Sequence, residues 1–189
     1  MEHKKDMECG YCKKNMMEEY TYCGYCGNKI VRKCKIVLIG DKNTGKSQYV
    51  NRLFTGNFTD DYIPTQGIST CVLERTHKEK NIYIDLCDTP ANTDYGLNET
   101  YYWKSDGCIV FYTKYCDKKR TDTELQKFMD INPNATIVIV WNKVDIEGHQ
   151  SFFDYSKRYE NNKIIYFSMS CKGLHNINEP IESIMNNLF

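Results

Sequence analysis

One eight-residue run limits what this chain can fold into more than any other: Gly40-Asp41-Lys42-Asn43-Thr44-Gly45-Lys46-Ser47, a G-x4-G-K-S pattern set between an apolar stretch and an amphipathic one. Its glycines let the main chain turn where a strand stops and a helix starts, so loop amides and the helix N-terminus converge on one point. Such a loop encloses phosphate. Lys46 is placed to neutralise the β and γ oxygens and the Ser47 hydroxyl to ligate Mg2+. Asp41, Lys42, Asn43, Thr44, Gly45 and Gln48 complete the expected nucleotide-binding run.

From Cys34 onward, apolar runs alternate with amphipathic ones, as in a mostly parallel sheet covered by helices. Strands are expected at 35–39, 69–75, 81–87, 107–112, 136–141 and 163–167, and helices at 45–54, 121–130, 152–160 and 179–187. The fold class is therefore α/β: a P-loop NTPase fold, with a six-stranded, mostly parallel sheet and helices on both faces. Residues 34–189 are expected to form this domain and residues 1–33 a separate small module.

Ten cysteines would suggest disulfides in a secreted chain, but the opening residues lack the apolar run of a signal peptide, which points to a reducing compartment. Four of them, Cys9, Cys12, Cys23 and Cys26, form two C-x2-C pairs ten residues apart. Each short turn aims two thiolates at one tetrahedral ion, and Zn2+ is the expected metal, with iron in a rubredoxin-like site as the alternative. So few residues cannot bury a core, so the metal must drive folding. The module, whose Tyr22-Cys23-Gly24-Tyr25-Cys26-Gly27 run resembles a zinc-ribbon knuckle, is expected to be a zinc ribbon that would dock protein, cap the domain, or bind nucleic acid. Its basic residues Lys13, Lys14, Lys29, Arg32 and Lys33 are offset by Glu8, Glu18 and Glu19, which disfavours nucleic acid. The other six cysteines sit among apolar or β-branched neighbours and are read as structural.

Lys plus Arg number 25 and Asp plus Glu number 25, so no global charge draws the chain to nucleic acid or an anionic membrane. No apolar run reaches the roughly 18 residues of a membrane span. The ending Met185-Asn186-Asn187-Leu188-Phe189 has no cysteine, so no prenyl anchor is expected. The expectation is a monomer inside the cell, cytoplasmic and in reach of the nucleus.

Beyond the phosphate loop, Asn142-Lys143-Val144-Asp145 resembles the N-K-x-D element of Ras-superfamily GTPases, and Ser170-Cys171-Lys172 is similar to their S-A-K element. The resemblance covers about Lys35 to Phe189 and leans toward the Ran branch, then Rab, on Gly40-Asp41 with Thr44, Thr55-Gly56 with Phe58, and Asn178-Glu179-Pro180. It implies that Asp145 accepts from guanine N1 and N2, that Asn142 braces the pocket, that Lys143 lies over the nucleotide, and that an amide of the 170–172 turn meets O6. Thr65, 18 residues after Ser47, falls at the switch I threonine and would complete the Mg2+ shell with Ser47 and Asp88; Phe58 falls at an aromatic edge against the base. GTP or GDP with Mg2+ is the implied ligand, and exchange factors, activating factors and effectors are the implied partners.

Three departures fall where hydrolysis is made fast. Lys42 stands where relatives have Gly or Ser, Ala91 replaces the glycine of D-x-x-G in Asp88-Thr89-Pro90-Ala91, and Asn92 replaces the water-orienting glutamine, one methylene short. Lys46, Thr65 and Asn92 are the candidate catalytic residues. Lys42 would either crowd the site while pairing with a surface carboxylate or act as a built-in cation. The expected function is a GTP/GDP switch with slow hydrolysis; the alternative is a scaffold or decoy that holds nucleotide without cycling. Trp141, before N-K-x-D, is unusually large and could pack under the loop or face outward.

Overall fold

In the computed structural model, residues 6–17, 20–91, 99–147 and 164–189 are described. The expected helix at 152–160 lies outside them, as do Lys163 and Asn92.

The chain opens with an antiparallel hairpin, β1 (Asp6–Glu8) and β2 (Asn15–Met17), which the sequence reading did not foresee. Next come β3 (Arg32–Gly40), α1 (Lys46–Thr55), β4 (Ser69–His77), β5 (Lys80–Asp88), a 3-10 turn at Glu99–Tyr102, β6 (Gly107–Tyr112), α2 (Lys118–Ile131), β7 (Thr136–Trp141), α3 (Val144–Glu147), β8 (Ile164–Ser168) and α4 (Glu179–Leu188). The main sheet has the order β4-β5-β3-β6-β7-β8, parallel throughout except where β4 pairs antiparallel with β5. That is the expected Ras-like architecture.

The central strands read as continuous apolar runs because both faces are covered. On β3, Ile36 and Leu38 point into a cluster with Tyr49 of α1 and Ile181, Ile184 and Met185 of α4. Val37 and Ile39 point the other way, to Leu125 and Phe128 of α2. The β4–β5 hairpin turns through Lys78 and Glu79, at φ 45° and 64°. Positive φ at both residues is the two-residue turn whose twist suits a hairpin. Helix α2 begins three residues before the expected start, because Asp117 caps it by accepting from the Arg120 amide at 3.0 Å. Among the described residues no helix is long and apolar enough to cross a membrane.

Strand β3 is flanked by β5 on one side and β6 on the other, so the loops leaving the carboxyl ends of β3 and β6 diverge and leave a crevice. Open α/β sheets bind ligands in that crevice.

Candidate nucleotide site and cysteine cluster

A cavity of about 1020 Å3 opens at the carboxyl ends of the strands. The phosphate loop forms its floor, and its glycines are there for space. A Cβ on Gly40 would stand 2.8 Å from the Phe111 carbonyl, and one on Gly45, held at φ 97°, would strike the Asn142 amide group. Thr44 is fully buried, and its hydroxyl donates to the Asp41 carbonyl at 2.8 Å. The Asp41 carboxylate in turn accepts from the Asp117 amide at 2.8 Å, tying the loop to the start of α2. Lys46 is buried, with Nζ donating to the carbonyls of Gly40 (2.6 Å) and Asp41 (3.0 Å). Burial lowers its pKa to about 8, against the opposing pull of Asp88 and Asp41.

Beside the loop, the Ser47 and Thr65 hydroxyls lie 2.7 Å apart. Asp88, at the end of β5, is buried with Oδ1 unpartnered. Burial raises its pKa, while the Ser47 hydroxyl and Lys46 pull it down. An orphaned carboxylate oxygen with two hydroxyls is a hard-oxygen donor set, which fits Mg2+.

The wall opposite is built around one side chain. Asn142, 2 % exposed, donates from Nδ2 to the Thr44 carbonyl at 2.8 Å and accepts at Oδ1 from the Cys171 amide at 3.3 Å. It joins the phosphate loop, the N-K-x-D turn and the 170–172 turn. Lys143, at φ 66°, donates to the Asn43 side chain at 3.0 Å. The Ser170 hydroxyl donates to Asp145 at 2.6 Å and accepts from the Gly173 amide at 2.7 Å. Phe58 packs half-buried against the core with Arg52 and Lys172 near its ring, while Lys172 pairs with Asp60 at 2.8 Å. Gln48 donates to the Thr59 hydroxyl at 2.9 Å.

Of the expected site residues, 41–48, Phe58, Thr65, Asn142, Lys143, Asp145, Cys171 and Lys172 line the cavity. Asp88 and Ser170 are buried and are not among the lining residues. Ala91 lines the cavity. Lys42 is exposed on the wall with no carboxylate partner among the described residues, so the surface-pairing half of its reading finds no support. Trp141 neither packs under the loop nor faces outward: it lies in the cluster on the α2 face with Lys118 Nζ 5.1 Å from its ring centroid. Tyr115, Cys116, Asp117 and Arg120 also line the cavity and were missed. Their position just past the carboxyl end of β6 was the available signal.

At the other end of the chain, the Sγ atoms of Cys9, Cys12, Cys23 and Cys26 all lie within 4.8 Å of one another. The Cys9–Cys26 and Cys12–Cys23 separations are 3.7 and 3.5 Å. A tetrahedral zinc with 2.3 Å bonds needs sulfurs about 3.8 Å apart, so the set fits. Amides of Cys12 and Tyr11 lower the Cys9 pKa, and the Asn28 amide and side chain bring Cys26 to about 6. Cys9 and Cys23 are buried with Met16 and Ile30 in a cluster of their own.

A family model described as "Ras family" matches residues 35–189. The chain belongs to the Ras family of small GTPases, whose members bind GTP or GDP with Mg2+ and act as switches through regulators and effectors. Among curated proteins it is similar to "GTP-binding nuclear protein Ran" of Giardia intestinalis, 28% identical over 174 residues, with 82% of this chain and 77% of that protein covered.

Proposed function

We propose that the protein is a GTP/GDP switch of the Ran-like kind with slow intrinsic hydrolysis. The observation that carries this reading is the Asn142 side chain, bonded to both the phosphate loop and the 170–172 turn, which fixes phosphate grip and base pocket as one unit. Asp145 accepts from the guanine N1 and N2 donors, a pair adenine cannot offer. The amide of the 170–172 turn meets O6, Lys143 lies along the nucleotide, and Phe58 edges the base. Lys46 neutralises the β and γ oxygens. Ser47 and Thr65 ligate Mg2+ directly, and Asp88 holds it through water.

Thr65 is the sensing residue. Its hydroxyl sits 2.7 Å from that of Ser47, so γ-phosphate and Mg2+ would order the segment carrying it, and Ala91 would respond across the cavity. Slow turnover follows from Lys42 on the cavity wall, from Ala91, and from Asn92. In a reaction run by positioning and electrostatics, each removes part of the means of placing water. The ribbon residues 1–33 hold zinc through their four cysteines and add a docking face for protein. The protein works as a monomer in cytoplasm and nucleus with exchange factors, activating factors and effectors.

The test is hydrogen exchange in GDP and in a non-hydrolysable GTP analogue, with Mg2+. Protection of 60–68 by the analogue alone supports the switch. Equal profiles would favour the second reading, a guanine-nucleotide scaffold or decoy without a cycle, which the altered Asp88-Thr89-Pro90-Ala91-Asn92 segment also favours. Single-turnover hydrolysis of Lys42→Gly separates its two roles: a faster rate marks obstruction, a slower one a built-in cation.

A further inference from the structure

Arg52 lies on the fifth residue past Ser47 in α1, and the nucleotide reading gives it no task. Its guanidinium reaches across 119 residues of sequence: Nε donates to the Cys171 carbonyl at 3.0 Å and Nη2 to the Lys172 carbonyl at 3.0 Å. The remaining arm, Nη1, donates to the Gly56 carbonyl at the end of the same helix, and the guanidinium carbon stands 5.9 Å from the Phe58 ring centroid. A planar fork holds two consecutive carbonyls from separate, rigidly spaced nitrogens, a geometry that the single rotating ammonium of a lysine does not reproduce.

Two consequences follow from peptide geometry. In a planar trans peptide the carbonyl and the next N–H point in opposite directions. Arg52, by gripping the Cys171 carbonyl, therefore aims the Lys172 amide away from α1; by gripping the Lys172 carbonyl, it sets the Gly173 amide. That amide donates to Ser170 Oγ at 2.7 Å, and Ser170 Oγ donates to Asp145 at 2.6 Å. A continuous chain of bonds thus runs from Arg52 to the carboxylate that faces the purine.

We propose that Arg52 is a positioning residue for base recognition, holding the 170–172 turn and, through Gly173 and Ser170, Asp145 in the orientation that reads guanine. This rests on the guanine assignment given above. Because α1 carries Ser47 at one end and Arg52 toward the other, one helix sets the phosphate grip and the base reader together.

The experiment uses the full chain as Arg52→Ala and Arg52→Lys, with release of fluorescent GDP and affinities for GDP, IDP (no 2-amino group) and 6-thio-GDP (a weak acceptor at position 6). Arg52→Ala should release GDP about tenfold faster, the scale of one or two charge-assisted hydrogen bonds. Its GDP/IDP and GDP/6-thio-GDP affinity ratios should both shrink several-fold, and Arg52→Lys should fall between. Faster release with both ratios intact, in a variant with wild-type circular dichroism, would make Arg52 a fold brace only and overturn the proposal; unchanged release would overturn it too. If Arg52→Ala does not fold, Arg52→Lys decides by the same ratios. A wild type that binds GDP and IDP equally would instead overturn the underlying guanine assignment.

Discussion

Lys46 is buried in a loop whose carbonyls give it two acceptors but no full counter-charge, and burial brings its pKa to about 8. An unfolded lysine titrates near 10.4. Between about pH 8 and 10.4 the unfolded chain binds more protons than the folded one, so this residue makes stability rise with pH across that window. Phosphate oxygens beside Nζ shift the balance back toward the ammonium. GDP binding at pH 8.5 should therefore take up a large fraction of a proton, and binding at pH 6.5 almost none at this residue. Calorimetry in buffers of different ionisation enthalpy measures it, and identical apparent enthalpies at pH 8.5 would refute the titration of Lys46. Gly45 makes a steric case of the same loop. At φ 97° with Asn142 against its missing Cβ, Gly45→Ala should displace Asn142 from the Thr44 carbonyl, lowering stability by about 1–3 kcal/mol and GDP affinity at least tenfold, read by thermal melts and fluorescent-nucleotide titration.

The elements were legible to different degrees, for physical reasons. Strands β6 and β7 matched their expected bounds because every residue in them is buried, and an uninterrupted apolar run leaves no other reading. Helix α2 was read short because Lys118-Lys119-Arg120 looks like loop, although Asp117 in front of it is a capping residue. The two-residue turn at Lys78 and Glu79 carries none of the Asn or Gly that announces such turns, so the two strands were expected but the hairpin joining them was not. The phosphate loop and base elements were visible because their chemistry is written in contiguous residues. Arg52 was not, since its partners lie far away in sequence. Packing of α4 on the sheet gives an element-level check. Ile184 is fully buried, and a Cβ on Gly107 of β6 would stand 3.0 Å from its methyl. So close a fit cannot collapse around a hole, and Ile184→Ala should cost about 2–5 kcal/mol in denaturant unfolding, with nucleotide selectivity unchanged.

The whole chain is held by unequal means at its two ends. Among the described residues, the main sheet has a core on each face, one of them with 18 buried residues, whereas the cluster in the cysteine module comprises Cys9, Met16, Cys23 and Ile30. Four side chains cannot offset the ordering entropy of some two dozen residues, so the metal must supply the difference. A polar contact joins the two parts at the seam: Arg32, buried at the first position of β3, donates to the Tyr20 carbonyl at 3.1 Å. Beyond it β3 is clamped by β5 from Arg32 to Leu38 and by β6 from Ile36 to Gly40, so loss of the seam leaves the strand paired up to the phosphate loop. A strong chelator should therefore release about one zinc per chain and abolish amide protection across 9–30. Protection of β3, β5, β6 and β7 should survive, and GDP affinity should stay within about twofold, since Kd changes of that size correspond to under 0.5 kcal/mol. Hydrogen exchange with and without chelator, alongside a GDP titration, reads both halves at once. If chelation instead strips protection from β3 as far as Gly40 and releases the nucleotide, the ribbon is part of the switch itself and the two modules fold as one.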